Sequence, residues 1–252
     1  MTKGTIKVEH LTKVYKTGVK GLDDINLDIE SGEFVVVVGL SGAGKSTLLR
    51  ALNRLITAST GRIFVDGQNI TDAQGKRVRH IRRSIAMIFQ NYNLVKRSSV
   101  IRNVLNGRVG YYSTIRSALG LFKKEDYERA AENLKRVNML EKYYNKADEL
   151  SGGQQQRVGI ARAMMQEPNV ILADEPVSGL DPKTTLVVMD DLKRLNQEDG
   201  ITVLANLHSV ELAMAYATRI IGLKAGKLVY DEKIENVKKE DFQAIYAEKG
   251  DK

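Results

Sequence analysis

Cysteine is absent from the 252 residues. That excludes a disulfide framework, thiol chemistry and a cysteine-ligated zinc module, and it suits a reducing compartment. Long apolar runs are missing as well. Runs such as Phe34 to Val38 are far shorter than the ~20 residues a membrane-crossing helix needs. Met1-Thr2-Lys3-Gly4 opens without the apolar stretch of a signal peptide, so a soluble chain is expected. The sequence has no internal repeat, low-complexity segment, linker or sustained heptad pattern. Its aromatic residues do not interleave with the basic clusters in the manner of single-strand binders.

With 42% hydrophobic residues at this length, the chain can bury the core of one large α/β domain, or of a domain with a subdomain. The net charge is +8. Basic residues gather at Lys76-Arg77-Val78-Arg79-His80-Ile81-Arg82-Arg83 and again at Lys96, Arg97, Arg102 and Arg108. Charge alone leaves nucleic acid, the anionic cytoplasmic leaflet or plain solvent as the counterpart.

Alternation predicts strands over Thr5–Glu9, Asp24–Ile29 and Arg62–Val65, and Glu33–Val38 and Ser84–Phe89 read as further strands. Helical composition covers Thr47–Leu55 and the whole of Val100–Tyr144, with the clearest spacing over Glu125–Val137. After Ser151 the chain alternates: helix to Gln166, strand Val170–Ala173, helix Lys183–Asn196, strand Ile201–Leu207, helix Val210–Ala217. Such alternation argues a parallel sheet flanked by helices. Arg219–Tyr230 reads as a hairpin turning at Ala225-Gly226, and the charged last twenty residues as helical.

Gly39-Leu40-Ser41-Gly42-Ala43-Gly44-Lys45-Ser46 fits G-x-x-x-x-G-K-[ST]. Preceded by a strand and followed by a helix, this is a P-loop. Its glycines let backbone N–H groups face a β-phosphate, Lys45 reaches the β- and γ-phosphates, and Ser46 offers a hydroxyl to Mg²⁺. Val170-Ile171-Leu172-Ala173-Asp174-Glu175 is its partner strand. Asp174 suffices for Mg²⁺, which leaves Glu175 to orient and polarise a water. Leu150-Ser151-Gly152-Gly153-Gln154 supplies a second set of backbone N–H groups at a helix start. One nucleotide does not need both sets in one subunit; two copies closing around shared nucleotides do.

These residues together resemble the ATP-binding subunit of an ABC transporter over nearly the whole length. The resemblance implies α/β architecture: a P-loop NTPase core with an N-terminal antiparallel β subdomain (1–89 and 169–252) and an α-helical signature subdomain (90–168), in one domain of residues 1–252. It implies that Tyr15 stacks on adenine, that Gly39, Ser41, Gly42, Ala43, Gly44, Lys45, Ser46 and Thr47 bind ATP, and that Ser46, Gln90 and Asp174 hold Mg²⁺. Glu175, His208 and Gln90 are the expected catalytic residues. Ser151, Gly152, Gly153 and Gln154 would act in trans across a head-to-tail homodimer, with Asp181 of Ser178-Gly179-Leu180-Asp181 in the dimer loop. Ser209 departs from the aspartate that often follows the switch histidine, so a charge that steadies the hinge is missing.

Two stretches resemble the phosphonate-importer subgroup: Asn103–Phe122, and Asn206–Ala213 continuing to Tyr216, Arg219 and Ile220-Ile221-Gly222-Leu223. Importers of phosphate, phosphite or amino acids stand nearby. The membership implies a permease, an indirectly coupled solute-binding protein, a peripheral position on the cytoplasmic face of the cell membrane, and no nucleic acid. A DNA- or ribosome-associated ABC ATPase is the contrasting class. Val100–Tyr144 is expected to dock the permease, with Val104, Leu105 and Tyr111 as anchors and Arg102 or Arg108 at the rim.

Overall fold

The computed structural model of the chain describes residues 3–246. Alternating residues near the N-terminus build an antiparallel sheet. β1 (Ile6–Val14) pairs with β2 (Lys20–Ile29), placing Ile6 opposite Ile29 and Val8 opposite Leu27. Both strands run further than alternation predicts. His10 and Asp24 take left-handed φ values of 49° and 55°, and the register slips between Val8 and Leu11. These bulges break the period of two without ending the pairing.

The next strand, β3 (Phe34–Val38), has every side chain buried and runs into α1 (Lys45–Leu52). β4 (Thr60–Val65) and the short β5 (Gln68–Asn69) complete the antiparallel sheet, whose order is β2-β1-β4-β5. The basic run folds as α2 (Gly75–Ile81) and leads into β6 (Ile85–Ile88).

Val100–Tyr144 is not continuously helical. It divides into α3 (Val100–Leu105), a 3-10 turn over Asn106–Tyr111, α4 (Thr114–Ala118) and α5 (Lys124–Arg136). Gly107 lies within this 3-10 turn and packs tightly on a later helix: a Cβ there would lie 2.2 Å from the Arg162 carbonyl oxygen.

From the signature onward the elements match the expected alternation: α6 (Gly152–Met164), β7 (Val170–Asp174), α7 (Pro182–Asp199), β8 (Thr202–Asn206) and α8 (Val210–Tyr216). The hairpin forms from β9 (Arg219–Lys224) and β10 (Lys227–Lys233). Ala225 and Gly226 both have positive φ, as a tight hairpin turn requires. Of the last twenty residues, expected as helical, Ile234–Asn236 form a 3-10 turn and Asp241–Tyr246 form α9; the part of that expectation past 246 lies outside the described residues.

The second sheet has the order β10-β9-β3-β8-β7-β6, parallel from β9 to β6 with β10 antiparallel at the edge. Alternate side chains of β3 enter different cores. Phe34, Val36 and Val38 pack toward α3, α5, α6 and α7, while Val35 and Val37 pack toward α1 and the antiparallel sheet. Coverage on both faces is why the central strands read as unbroken apolar runs.

The docking anchors named from the sequence are corrected here. Val104 and Leu105 are fully buried, because they follow Val100 and Ile101 by four residues on the inner face of α3. Arg108 is not a rim residue. Its guanidinium pairs with Asp126 at 3.1 Å and Glu167 at 3.3 Å, donates to the Met165 carbonyl at 3.3 Å and covers the Tyr111 ring at 3.9 Å. Tyr111 donates its hydroxyl to Gln166 O at 2.7 Å. Arg102 alone of these is exposed.

Candidate active site

The C-terminal ends of β3, β6, β7 and β8 lie side by side, the usual crevice for ligands in a parallel sheet. The loop from β3 to α1 turns on glycine. Gly39 (φ 143°) and Gly44 (φ 107°) sit so tightly that a Cβ would come 2.2 Å from the Leu223 carbonyl oxygen and 2.4 Å from that of Gly21. No acidic residue occupies the first turn of α1, so its N–H groups and positive dipole end remain suited to an anion.

Lys45 is 5% exposed and folds inward, its Nζ donating to Gly39 O at 2.7 Å and Leu40 O at 3.1 Å. Burial pushes its ammonium below the usual lysine range, while the carboxylates of Glu175 and Asp174 act in the opposite sense. Ser46 donates its hydroxyl to Asp174 Oδ1 at 2.6 Å. The two make an oxygen donor pair of the kind that hard divalent cations take, so they fit Mg²⁺. Two residues that no motif flagged steady Asp174: Asn206 donates from Nδ2 at 2.8 Å, and Arg50 lies 3.5 Å from the other oxygen. Asn206 Oδ1 is buried with no protein partner. A polar residue closing the apolar strand Val203-Leu204-Ala205 was its only signal. Tyr15 is 39% exposed and its hydroxyl meets Thr47 Oγ1 at 3.0 Å.

Glu175 has a left-handed φ of 50°, rare for a residue other than glycine and a mark of functional sites. Both carboxylate oxygens are engaged. His208 Nε2 lies 2.8 Å from Oε1, and Gln90 Nε2 donates to Oε2 at 2.9 Å and to Ser178 Oγ at 3.2 Å. Gln90, Glu175 and His208 meet because β6, β7 and β8 are neighbours in the sheet. Glu175, Ser178, Asn206 and His208 also line a cavity of about 250 Å³.

The signature residues stand apart. Ser151 caps α6: its Oγ accepts from the Gln154 N–H at 3.4 Å, and Gln154 Oε1 accepts from the Ser151 N–H at 3.0 Å. This reciprocal box leaves the N–H groups of Gly152 and Gly153 without an acceptor among the described residues. A Cβ at Gly153 would sit 2.0 Å from Thr184 Cγ2. Asp181 caps α7 by accepting from the Thr184 N–H at 3.0 Å, and the Thr184 hydroxyl first, then this N–H, hold its carboxyl below the usual range. No hydrogen bond or ion pair among the described residues joins this group to Lys45, Ser46 or Asp174. Ser209 caps α8, accepting from Leu212 N–H at 3.1 Å and donating to Glu211 at 2.8 Å. A carboxylate therefore stands near the switch after all, two residues later.

Residues 22–178 match the family model described as ABC transporter. The chain belongs to the ABC transporter family. Its matched span holds Lys45, Gln90, Ser151–Gln154, Asp174 and Glu175, and His208 joins it through Glu175. The chain is 61% identical over 243 residues to the phosphonates import ATP-binding protein PhnC of Bacillus thuringiensis subsp. konkukian, covering 96% of this chain and 95% of that one. It is 58% identical over 244 residues to the protein of the same name from Lactobacillus acidophilus, covering 97% and 95%. Among solved structures, a dimeric ATP-binding cassette in a post-hydrolysis state bound to ADP and Pi is 38% identical, covers 92% of this chain and all of its own, and has a TM-score of 0.80. A nucleotide-free ABC transporter cassette, 25% identical, covers 95% and 94% with a TM-score of 0.82. The chain is thus an ATP-hydrolysing ABC cassette, and its fold is the one that the resemblance implied.

Proposed function

We propose that this ABC ATPase energises a phosphonate importer as a head-to-tail homodimer. It would sit on the cytoplasmic face of the membrane against integral permease subunits that a solute-binding protein supplies. The observation that carries the cargo is the identity of about 60% over 96% of the chain to phosphonates import ATP-binding proteins from several bacteria.

In this reading Lys45 exchanges the carbonyls of Gly39 and Leu40 for phosphate oxygens, and the N–H groups from Gly39 to Thr47 cradle the rest. Tyr15 stacks on adenine. Mg²⁺, held by Ser46, Asp174 and Gln90, would supply charge neutralisation at the β- and γ-phosphates. Glu175 takes a proton from the attacking water, with His208 and Gln90 aiming its two oxygens. The free N–H groups of Gly152 and Gly153 receive the γ-phosphate of the opposite subunit, with Ser151 and Gln154 holding the helix start in shape and Asp181 at the dimer loop. Residues 90–168 would move as a unit with Gln90 at their entrance.

Purified Glu175→Gln should bind MgATP, elute at twice the monomer mass with it, and lose roughly 10²–10⁴ in turnover. Cells that carry it as their copy should stop taking up labelled methylphosphonate. Turnover at the wild-type rate removes Glu175 as the base. Turnover lost with methylphosphonate uptake intact removes the cargo and leaves the chemistry standing.

A further inference from the structure

Five buried side-chain polar atoms have no hydrogen-bond partner among the described residues. One of them is the hydroxyl of Tyr246, at the C-terminal end of α9. No step of the hydrolysis set out above uses it.

The helix that carries it is packed down firmly. Phe242 and Ile245 are buried, and Asp241 Oδ2 accepts from the Tyr230 hydroxyl at 2.7 Å and from the Lys238 N–H at 2.9 Å. Beneath Ile245 lies Gly222 of β9, where a Cβ would come 2.8 Å from Ile245 Cδ1. Gly222 is the register partner of Val38, the last residue of β3, and the carbonyl of the next residue, Leu223, is the one that presses on Gly39. Tyr246 follows Ile245, so it stands where β3 becomes the P-loop. Burial pushes its hydroxyl up from the usual tyrosine range; the Gly39 N–H acts in the opposite sense, and the Glu211 carboxylate adds to the rise. The Gly39 N–H is therefore near the hydroxyl oxygen, yet the two do not complete a hydrogen bond. On its other side Gly39 is engaged, its carbonyl accepting from Lys45 Nζ at 2.7 Å.

We propose that Tyr246 is a positioning residue for the P-loop: its hydroxyl accepts the Gly39 N–H when the loop closes on phosphate, fixing the turn that presents Lys45. A buried hydroxyl without a partner destabilises the fold, and completing one hydrogen bond removes that loss. A nucleotide that favours the closed loop and a bond that forms only there reinforce each other. Packing alone does not account for the residue, since phenylalanine would fill the same space without burying an oxygen. The inference rests on the nucleotide-binding assignment of residues 39–47 proposed above, and it needs neither the phosphonate cargo nor a permease.

Tyr246→Phe keeps the ring and removes the oxygen. Calorimetric titration of the full chain with MgADP, which does not turn over, should show affinity weakened about five- to tenfold, the worth of one hydrogen bond. The KM for ATP should rise by the same factor while kcat does not fall. Without nucleotide, the Tm of this variant should equal or exceed that of the wild type, because an unpaired buried hydroxyl has gone; MgADP should then raise it by less than it raises the wild type. A hydroxyl with a merely structural role, satisfied by a buried water, would lower the Tm and leave affinity alone. Either a lower Tm without nucleotide or an unchanged MgADP affinity would overturn the proposal. Lys45→Ala tells the two failures apart. Affinity lost there but kept in Tyr246→Phe removes Tyr246 alone, whereas affinity kept in both removes the P-loop assignment beneath it.

Discussion

Arg108→Glu separates a packing role from a docking role. The wild-type guanidinium is 14% exposed at its side chain, and its partner Asp126 is 6% exposed. Removing one member of a buried ion pair costs about 3–5 kcal/mol, because the other charge stays buried and uncompensated. Glutamate also sets a third carboxylate beside Asp126 and Glu167. Two features hold the loss toward the lower end. Glu167 is half-exposed and keeps Arg129 as a partner. Asp126 retains the Tyr112 hydroxyl and the Lys123 N–H, the latter at 3.1 Å. A loss of about 3 kcal/mol lowers the Tm of a chain of this size by about 10 °C. Thermal scans of the purified subunit read this directly, and hydrolysis well below the transition should remain near the wild-type rate. A Tm within a degree or two of wild type, together with lost transport and intact hydrolysis, would refute the packing argument and return Arg108 to the interface.

Ser151→Arg should lower the steady-state hydrolysis of the dimer about a hundredfold, by analogy with loss of one anion-stabilising donor group, while the monomer binds ATP as before; an affinity loss equal to that of Lys45→Ala would show the signature acting in cis. Asp126 gives a pH-dependent outcome. Burial pushes its carboxyl up, but hydrogen bonds from Tyr112 and the Lys123 N–H, with the Arg108 charge, outweigh it and hold the group below the usual carboxylate range. The stability it contributes is therefore complete above an ordinary aspartate pKa of about 3.9 and is lost as pH falls through the lower folded value. The Tm difference between wild type and Asp126→Asn should be flat at neutral pH and shrink only in that acid window; a difference that shrinks between pH 6 and 8 (about two units above it) would mean another group is responsible.

What could be read in advance follows from how local each cause is. The P-loop is legible because its glycines answer to close backbone approaches within one turn, as at Gly39 and Gly44. The apolar runs of β3, β7 and β8 are legible because sheets covered on both faces leave no alternation. The bulges at His10 and Asp24 were not, since a left-handed residue inside a strand has no compositional mark when it is not glycine. Val104 and Leu105 were misjudged for a different reason: helical spacing shows that a face is apolar, not whether α6 or a partner covers it. Asn206 and Arg50 were missed because their meaning is set by Asp174, far along the chain and brought near by the pairing of β8 with β7 and by the packing of α1. Ser209 shows a related limit, since its hydroxyl holds the Glu211 carboxylate at the start of the same helix, two residues beyond the position where the charge was missed.

Division of the site into separate clusters has an energetic logic of its own. Lys45 is satisfied by the carbonyls of Gly39 and Leu40, Ser46 and Asp174 bond to each other, and Gln90 and His208 both engage Glu175, so the groups proposed for hydrolysis are held in place within one subunit. The start of α6 is different: Ser151 and Gln154 close their box and leave two N–H groups of Gly152 and Gly153 facing outward. Water can serve those donors in a monomer, and a phosphate serves them better because the dipole end favours negative charge. Thr184 joins Gly153 to the Asp181 cap, so an anion seated on α6 would press on the start of α7. Asp181 lies six residues beyond Glu175, whose chain segment includes Ser178, the second partner of Gln90. In the proposed head-to-tail dimer, a phosphate delivered by a second copy would meet a helix end that is joined, through one short segment, to the residues proposed to aim the base.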